Sequence, residues 1–172
     1  MKKNKYFSTL KSKSLLILIA FIFLFWGILT NNYTQISIGL IILIIISRFV
    51  FKDFKYIQEL HHWILKNENK IILFYPTKNS TQENIQQNLI PKIPFEIMEV
   101  YYDGPKIVGD IKRSVVHEMI KWNSKIDTNF PAIIKVKKDT LLVEELFELI
   151  RTDLNDEDYL EIIDKIKKVK DY

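Results

Sequence analysis

ILFYPTKNSTQENI, residues 72–85, decides the fold class, because an apolar run of strand length passes without a linker into helix-start chemistry. The run extends back through Lys70 and Ile71 to KIILFYP, whose unbroken apolar character predicts a strand covered on both faces. Ser80 and Glu83 then fit S-x-x-E, a capping box in which the serine hydroxyl accepts from the backbone near Glu83 and the glutamate reaches back. A short helix is expected over 80–90. A strand feeding directly into a helix N-terminus is the unit from which α/β domains are built.

Working outward, FEIMEVYY (95–102) reads as a second strand closed by the turn signal Asp103-Gly104. DIKRSVVHEMIKWNSK (110–125) reads as a helix with Asp110 as N-cap and Ile111, Val115, Met119 and Trp122 on one face. FPAIIKV (130–136) is a third strand, 137–140 a hairpin turn and LLV (141–143) a fourth strand. Helices are expected over 144–152 and 157–169, the second aligning Tyr159, Ile162, Ile163 and Ile166.

This order, β-α-β-α-β-β-α with a further terminal helix, resembles the thioredoxin-like fold from residue 70 to about 154. In that resemblance Asn79-Ser80-Thr81-Gln82 stands where active members carry Cys-x-x-Cys. Phe130-Pro131-Ala132 precedes a strand as the family's cis-proline does. The chain departs from the family at the decisive point, since it contains no cysteine. Disulfide exchange and peroxidatic thiol chemistry need a thiolate and are excluded. What the resemblance leaves is binding, with Lys78, Asn79, Ser80, Thr81, Gln82, Phe130 and Pro131 as the docking surface for an extended peptide or a protein. Lys78 beside a helix N-terminus also offers positive charge to a carboxylate or other anion.

Before this domain, 14–30 and 34–51 form two apolar runs, separated by Asn31, Asn32 and Tyr33. Each approaches the roughly 17 to 25 helical residues needed to cross a hydrocarbon core about 30 Å thick. One continuous span would bury both asparagines in hydrocarbon, so they are expected at an outer turn. A secretory signal is disfavoured, because the first run exceeds the usual h-region of about 7–15 residues, lacks an A-x-A site and is followed by a second run.

The expected organisation is a basic N-terminus (1–13), a transmembrane helical hairpin (14–51), an amphipathic juxtamembrane helix (52–68) and a small thioredoxin-like mixed-sheet α/β domain (69–172). Lys11, Lys13, Arg48, Lys52 and Lys55 flank the apolar runs, and Trp63 is expected at headgroup depth with Tyr56 and Phe54. Basic residues before the first run and after the second, with none in the turn, place both termini in the cytoplasm, at a bacterial inner membrane. The lipid bilayer is thus an expected partner.

The overall charge of +4 invites a nucleic-acid reading that its distribution reverses. Residues 1–55 hold eight basic side chains against Asp53 alone, a net +7, whereas 56–172 hold 17 basic and 20 acidic, a net −3. The positive excess belongs to membrane topology, and no nucleic-acid partner is expected.

Other chemistry is sparse. His61-His62 and His117-Glu118 lack metalloprotease spacing, the first expected on an interfacial helix and the second as a surface pair. Gly104 and Gly109 are too few for a phosphate-binding loop. Asp153, Asp156, Glu157, Asp158 and Glu161 suit the positive end of a helix dipole better than a cation loop. No metal, cofactor or catalytic residue is expected. The leading expectation is a membrane-anchored, non-catalytic binding or adaptor protein, an immunity or accessory protein being one specialised form. The alternatives are a cysteine-independent enzyme using Lys78, Tyr75 or Tyr102, and a structural subunit joined through its spans.

Overall fold

Two adjacent asparagines end one long helix and begin the next. Helix α1 (Lys2–Leu29) stops where Asn31 takes a left-handed backbone (φ 50°), a conformation asparagine tolerates better than most residues. The Asn32 N–H donates to the Gly27 carbonyl at 2.8 Å and the Asn31 N–H to Ile28 at 3.3 Å, which satisfies carbonyls the helix end would orphan. Asn32 Oδ1 then accepts from the Thr34 and Gln35 N–H groups at 3.1 and 3.3 Å, capping α2 (Tyr33–Lys66).

The computed structural model describes residues 2–75, 79–103, 105–123, 125–126, 131–151 and 154–172. They divide into two compact units, Met1–Glu59 and Leu60–Tyr172.

In the first unit both helices are long and apolar enough to cross a membrane. Phe21, Phe25, Trp26, Ile41 and Ile44 are each more than half exposed, an apolar surface that no protein group covers. Between the helices the contact is close and runs along small residues. A Cβ on Gly39 would stand 2.7 Å from Leu24 Cγ, and one on Gly27 would stand 2.8 Å from the Ile36 backbone nitrogen. Gly27 and Gly39 look isolated in sequence, yet they occupy one seam with the buried Ala20. Nearer the N-terminus, Tyr6 meets Phe54 edge to face at 4.8 Å, so residues 2–13 continue α1 as a packed helix.

Five strands form the mixed sheet of the second unit, in the order β3-β2-β1-β4-β5: β1 (Ile71–Tyr75), β2 (Met98–Asp103), β3 (Lys106–Val108), β4 (Ala132–Lys137) and β5 (Thr140–Glu145). β1 pairs parallel with β2 and antiparallel with β4, and all its residues are buried, as its unbroken apolar run requires. One face packs Ile72, Phe74, Ile134 and Val136 against α4 (Arg113–Trp122) and the last turns of α2. Leu73, Tyr75 and Ile133 face the other way, onto the run from α3 (Asn79–Asn84) through a π-helical turn (Ile85–Leu89), and onto α5 (Asp156–Asp171).

Several expectations change here. Trp63 is only 8 % exposed and lies with Leu60 and Ile64 in the sheet core, its indole N–H donating to the Asp110 carbonyl at 3.4 Å. An amphipathic stripe suits a lipid interface and a protein core equally, and here the sheet takes it. The second unit accordingly starts at Leu60 rather than 69, and 52–66 is the same helix as the second apolar run.

Asp110 does not cap α4, which follows an extended Lys112 with no side-chain cap. Strand β5 continues to Glu145, followed by a 3-10 turn (Phe147–Ile150), where a helix was expected over 144–152. Pairing of Glu144 with Ile133 and Glu145 with Ala132 outweighs glutamate's modest helical preference. β3 was unforeseen; Gly109 follows it at φ 127°, where any Cβ would stand 2.6 Å from the Glu99 carbonyl oxygen.

Candidate functional site

The end of β1 is where the sequence places its docking surface. Lys78 and Phe130 lie outside the described residues, and so does the peptide bond joining Phe130 to Pro131. Helix α3 starts at Asn79, which puts Ser80 inside its first turn rather than at the N-cap expected of it. Ser80 is exposed, Thr81 buried and Gln82 half-buried. Pro131 is buried, and its carbonyl accepts from the Leu146 N–H at 2.8 Å, tying the start of β4 to the end of β5.

Ser80 and Thr81 do meet in one open hollow of about 280 Å³, with Glu83, Asn84, Gln87, Asn88 and Arg151. Neither Gln82 nor Pro131 lines it. Each residue lining it carries a hydroxyl, amide or charged side chain, and part of the wall is already organised. Asn84 Oδ1 accepts from the Asn88 amide at 2.9 Å and from the Tyr159 hydroxyl, which fixes the hollow's floor to α5. Asn84, Gln87, Asn88 and Arg151 escaped the sequence reading. Helical spacing of polar residues at 80, 84, 87 and 88 was the available signal, whereas Arg151 reaches the same wall only through the fold.

Directly behind α3, Tyr75 is fully buried and locked by two neighbours. Its hydroxyl donates to Glu99 Oε2 at 2.7 Å and accepts from the Gln86 amide at 3.1 Å, while its ring stacks on Tyr101 at 5.1 Å. Burial, reinforced by the Glu99 hydrogen bond, pushes its ionisation above the ordinary phenol range. Tyr75 therefore acts as a donor that pins β1, β2 and the π-helical turn, and is a poor general base. Burial also raises the Tyr102 phenol, against the opposing charge of Arg113.

A second polar cluster sits on α4. Glu118 is fully buried, with Oε2 accepting from the Trp122 indole N–H at 2.6 Å. Its Oε1 has no hydrogen-bond partner; His117 Nδ1 and Lys121 Nζ each stand 3.6 Å away. The pair expected at the surface thus has one member in the interior, because α4 turns Glu118 inward beside Val115 and Met119. Of the acidic run, Asp153 lies outside the described residues, and Asp156, Glu157 and Asp158 stand in the first turn of α5. The Asp158 N–H donates to Asn155 Oδ1 and the Asn155 N–H to Asp158 Oδ2, both at 2.9 Å, a complete capping box.

Among the described residues, no group of three potential metal ligands converges. The flanking bases Lys11, Arg48, Lys52 and Lys55 are exposed, and Lys13 is half-buried with its ammonium 5.9 Å from the Phe49 ring centre. No protein-family model, curated protein or solved structure matches this chain.

Proposed function

We propose that this chain is a membrane-anchored, non-catalytic binding protein whose sheet unit is thioredoxin-like. One observation carries the proposal. Leaving aside the short β3, the order β2-β1-β4-β5, with β1 parallel to β2 and antiparallel to β4, agrees with a thioredoxin-like arrangement and supports this reading, with no cysteine thiol in the chain. The helical layers support this reading, for α5 and the π-helical turn after α3 cover one face, and α4 with the end of α2 the other.

With thiol chemistry unavailable, the polar hollow beside α3 offers hydrogen-bond partners to the backbone and side chains of a protein segment. The anchor is the two-helix unit, held in the bacterial inner membrane with both chain termini cytoplasmic, the topology its basic flanks favour. Anchoring raises the effective concentration of the binding unit toward membrane-associated partners.

Photo-crosslinking of the full chain in native membranes tests this, with the probe at Gln87 or, as a control, at the exposed Lys106 on the edge strand β3. A discrete protein adduct is expected from Gln87 alone, and Arg151→Glu should abolish it. Identical adduct patterns from both positions, or none from Gln87, would refute a docking role for the hollow.

A further inference from the structure

Four bases of the helical hairpin stand at one level. Contact of Lys13 with the Phe49 ring at 5.9 Å, and of Tyr6 with Phe54 at 4.8 Å, fixes the antiparallel register of α1 and α2. Arg48 adjoins Phe49, Lys52 follows by less than a turn, and Lys11 precedes Lys13 by two residues. At 1.5 Å per residue, all four backbone positions fall in a band about 6 Å tall. Toward the turn from this band, 14–47 contains no charged residue.

Among the described residues no carboxylate pairs with the band, although Asp53 directly follows Lys52. Asp53 and Glu59 are the only acidic residues in the unit, and none of the four bases makes an ion pair among the described residues. Lys13 and Lys52 instead stand over the rings of Phe49 and Tyr56, at 5.9 and 5.6 Å. The exposed rings of Phe49 and Phe51 share the level, so cations and apolar surface alternate as an interfacial layer demands.

Direction separates one small anion from a sheet of them. Arg48 and Lys52, four residues apart, share the face of α2 turned away from the Gly39–Ile46 seam, while Lys11 is exposed on the other helix. Side chains that diverge at one level cannot converge on one phosphate, but every one of them meets a plane of phosphates.

We propose that Lys11, Lys13, Arg48 and Lys52 form a collar that binds the headgroup phosphates of anionic phospholipid and sets the depth of the hairpin. The proposal rests on the membrane-anchor reading. It goes further in naming the lipid class and the residues that select it.

The test uses the full chain reconstituted into phosphatidylcholine vesicles containing about 30 % phosphatidylglycerol, an anionic surface to which each nearby base contributes. Native mass spectrometry reads the lipids retained after mild detergent extraction, and resistance to alkaline carbonate reads insertion separately. Retained phosphatidylglycerol should exceed its vesicle fraction. The excess above the vesicle fraction should fall at least about fivefold when Lys11, Lys13, Arg48 and Lys52 are all replaced by glutamine, with insertion unchanged. Unchanged enrichment in the inserted variant would overturn the collar and leave the anchor standing, whereas carbonate extraction of the native chain would sink the anchor and the collar together.

Displacement of the lipid by millimolar inorganic phosphate at constant ionic strength would assign the site to a soluble anion and overturn the proposal. If the variant does not insert, the native chain decides through salt, which screens exposed charge. Enrichment is expected to vanish on going from low to molar salt, and enrichment that persists would refute the collar.

Discussion

Replacing Trp63 by alanine separates a core residue from a membrane-interface residue. The side chain is 8 % exposed, surrounded by the core that Leu60, Ile64, Val115 and Met119 form over one face of the sheet. Truncating a buried tryptophan removes its transfer free energy and leaves a cavity, about 3–5 kcal/mol in all. The indole hydrogen bond to Asp110 adds little at 3.4 Å, near the limit for such a bond. For a sheet unit of this size, with a total stability of about 5–15 kcal/mol, that loss is a large fraction.

At a urea dependence of about 2 kcal/mol per molar, the midpoint should fall by roughly 1.5–2.5 M. Pulse proteolysis of the full chain in mild detergent, scored on cleavage within 71–145, reads the sheet unit without interference from the stable hairpin. Trp63→Phe should recover more than half of the loss, because it restores most of the buried area. A midpoint shift below about 0.3 M for Trp63→Ala would refute the core assignment. So would quenching of Trp63 by brominated lipid in a chain whose other two tryptophans are replaced.

Three further outcomes are expected. In the hairpin, Gly27→Ala should destabilise more than Gly39→Ala, because a Cβ on Gly27 meets the Ile36 backbone nitrogen at 2.8 Å, whereas the nearest backbone atom at Gly39, the Ala20 carbonyl oxygen, stands at 3.0 Å behind the Leu24 side chain. An overpacking cost of about 1–3 kcal/mol, offset by up to about 1 kcal/mol of helix propensity, is readable by energy transfer across the hairpin during detergent titration. Tyr75 ionises above its unfolded value, so its contribution is complete below about pH 10 and is lost as pH climbs through the raised folded value. Absorbance titration should therefore show a late tyrosinate phase that shrinks in Tyr75→Phe, and an unaltered curve would contradict the buried hydrogen bond. Asn155→Ala should cost about 1 kcal/mol by removing the side-chain acceptor of the α5 capping box, with Asn155→Asp nearly neutral in the same denaturation assay.

Much of the domain was legible because its signals are local. The unbroken apolar run at 71–75 marks a strand with both faces covered, and the 3.6 spacing of Tyr159, Ile162, Ile163 and Ile166 marks the buried side of α5. Asn31 and Asn32 announce a turn by the chemistry of their own side chains. Where two environments reward the same pattern, the sequence misled. Trp63 lies on a stripe that fits bilayer or sheet, and Glu144 and Glu145 favour helix until β4 pairs with them as strand. The candidate site divides similarly, since Ser80 and Thr81 were found by motif, while Arg151 depends on a contact some 70 residues distant in the chain.

By itself, the amino-acid sequence determined that thiol chemistry is absent, that two helices are long and apolar enough to cross a membrane, and that the excess positive charge flanks them. These are properties of composition and spacing along the chain, which no arrangement in space can alter. Only the tertiary structure decided that Trp63 enters the core, that Glu118 is buried beneath Trp122, and that Gly27 and Gly39 serve one seam. It also decided that Lys13 shares a level with Phe49. Each of these depends on which surface arrives opposite a side chain, and burial free energy is set by that partner rather than by the residue's neighbours in sequence.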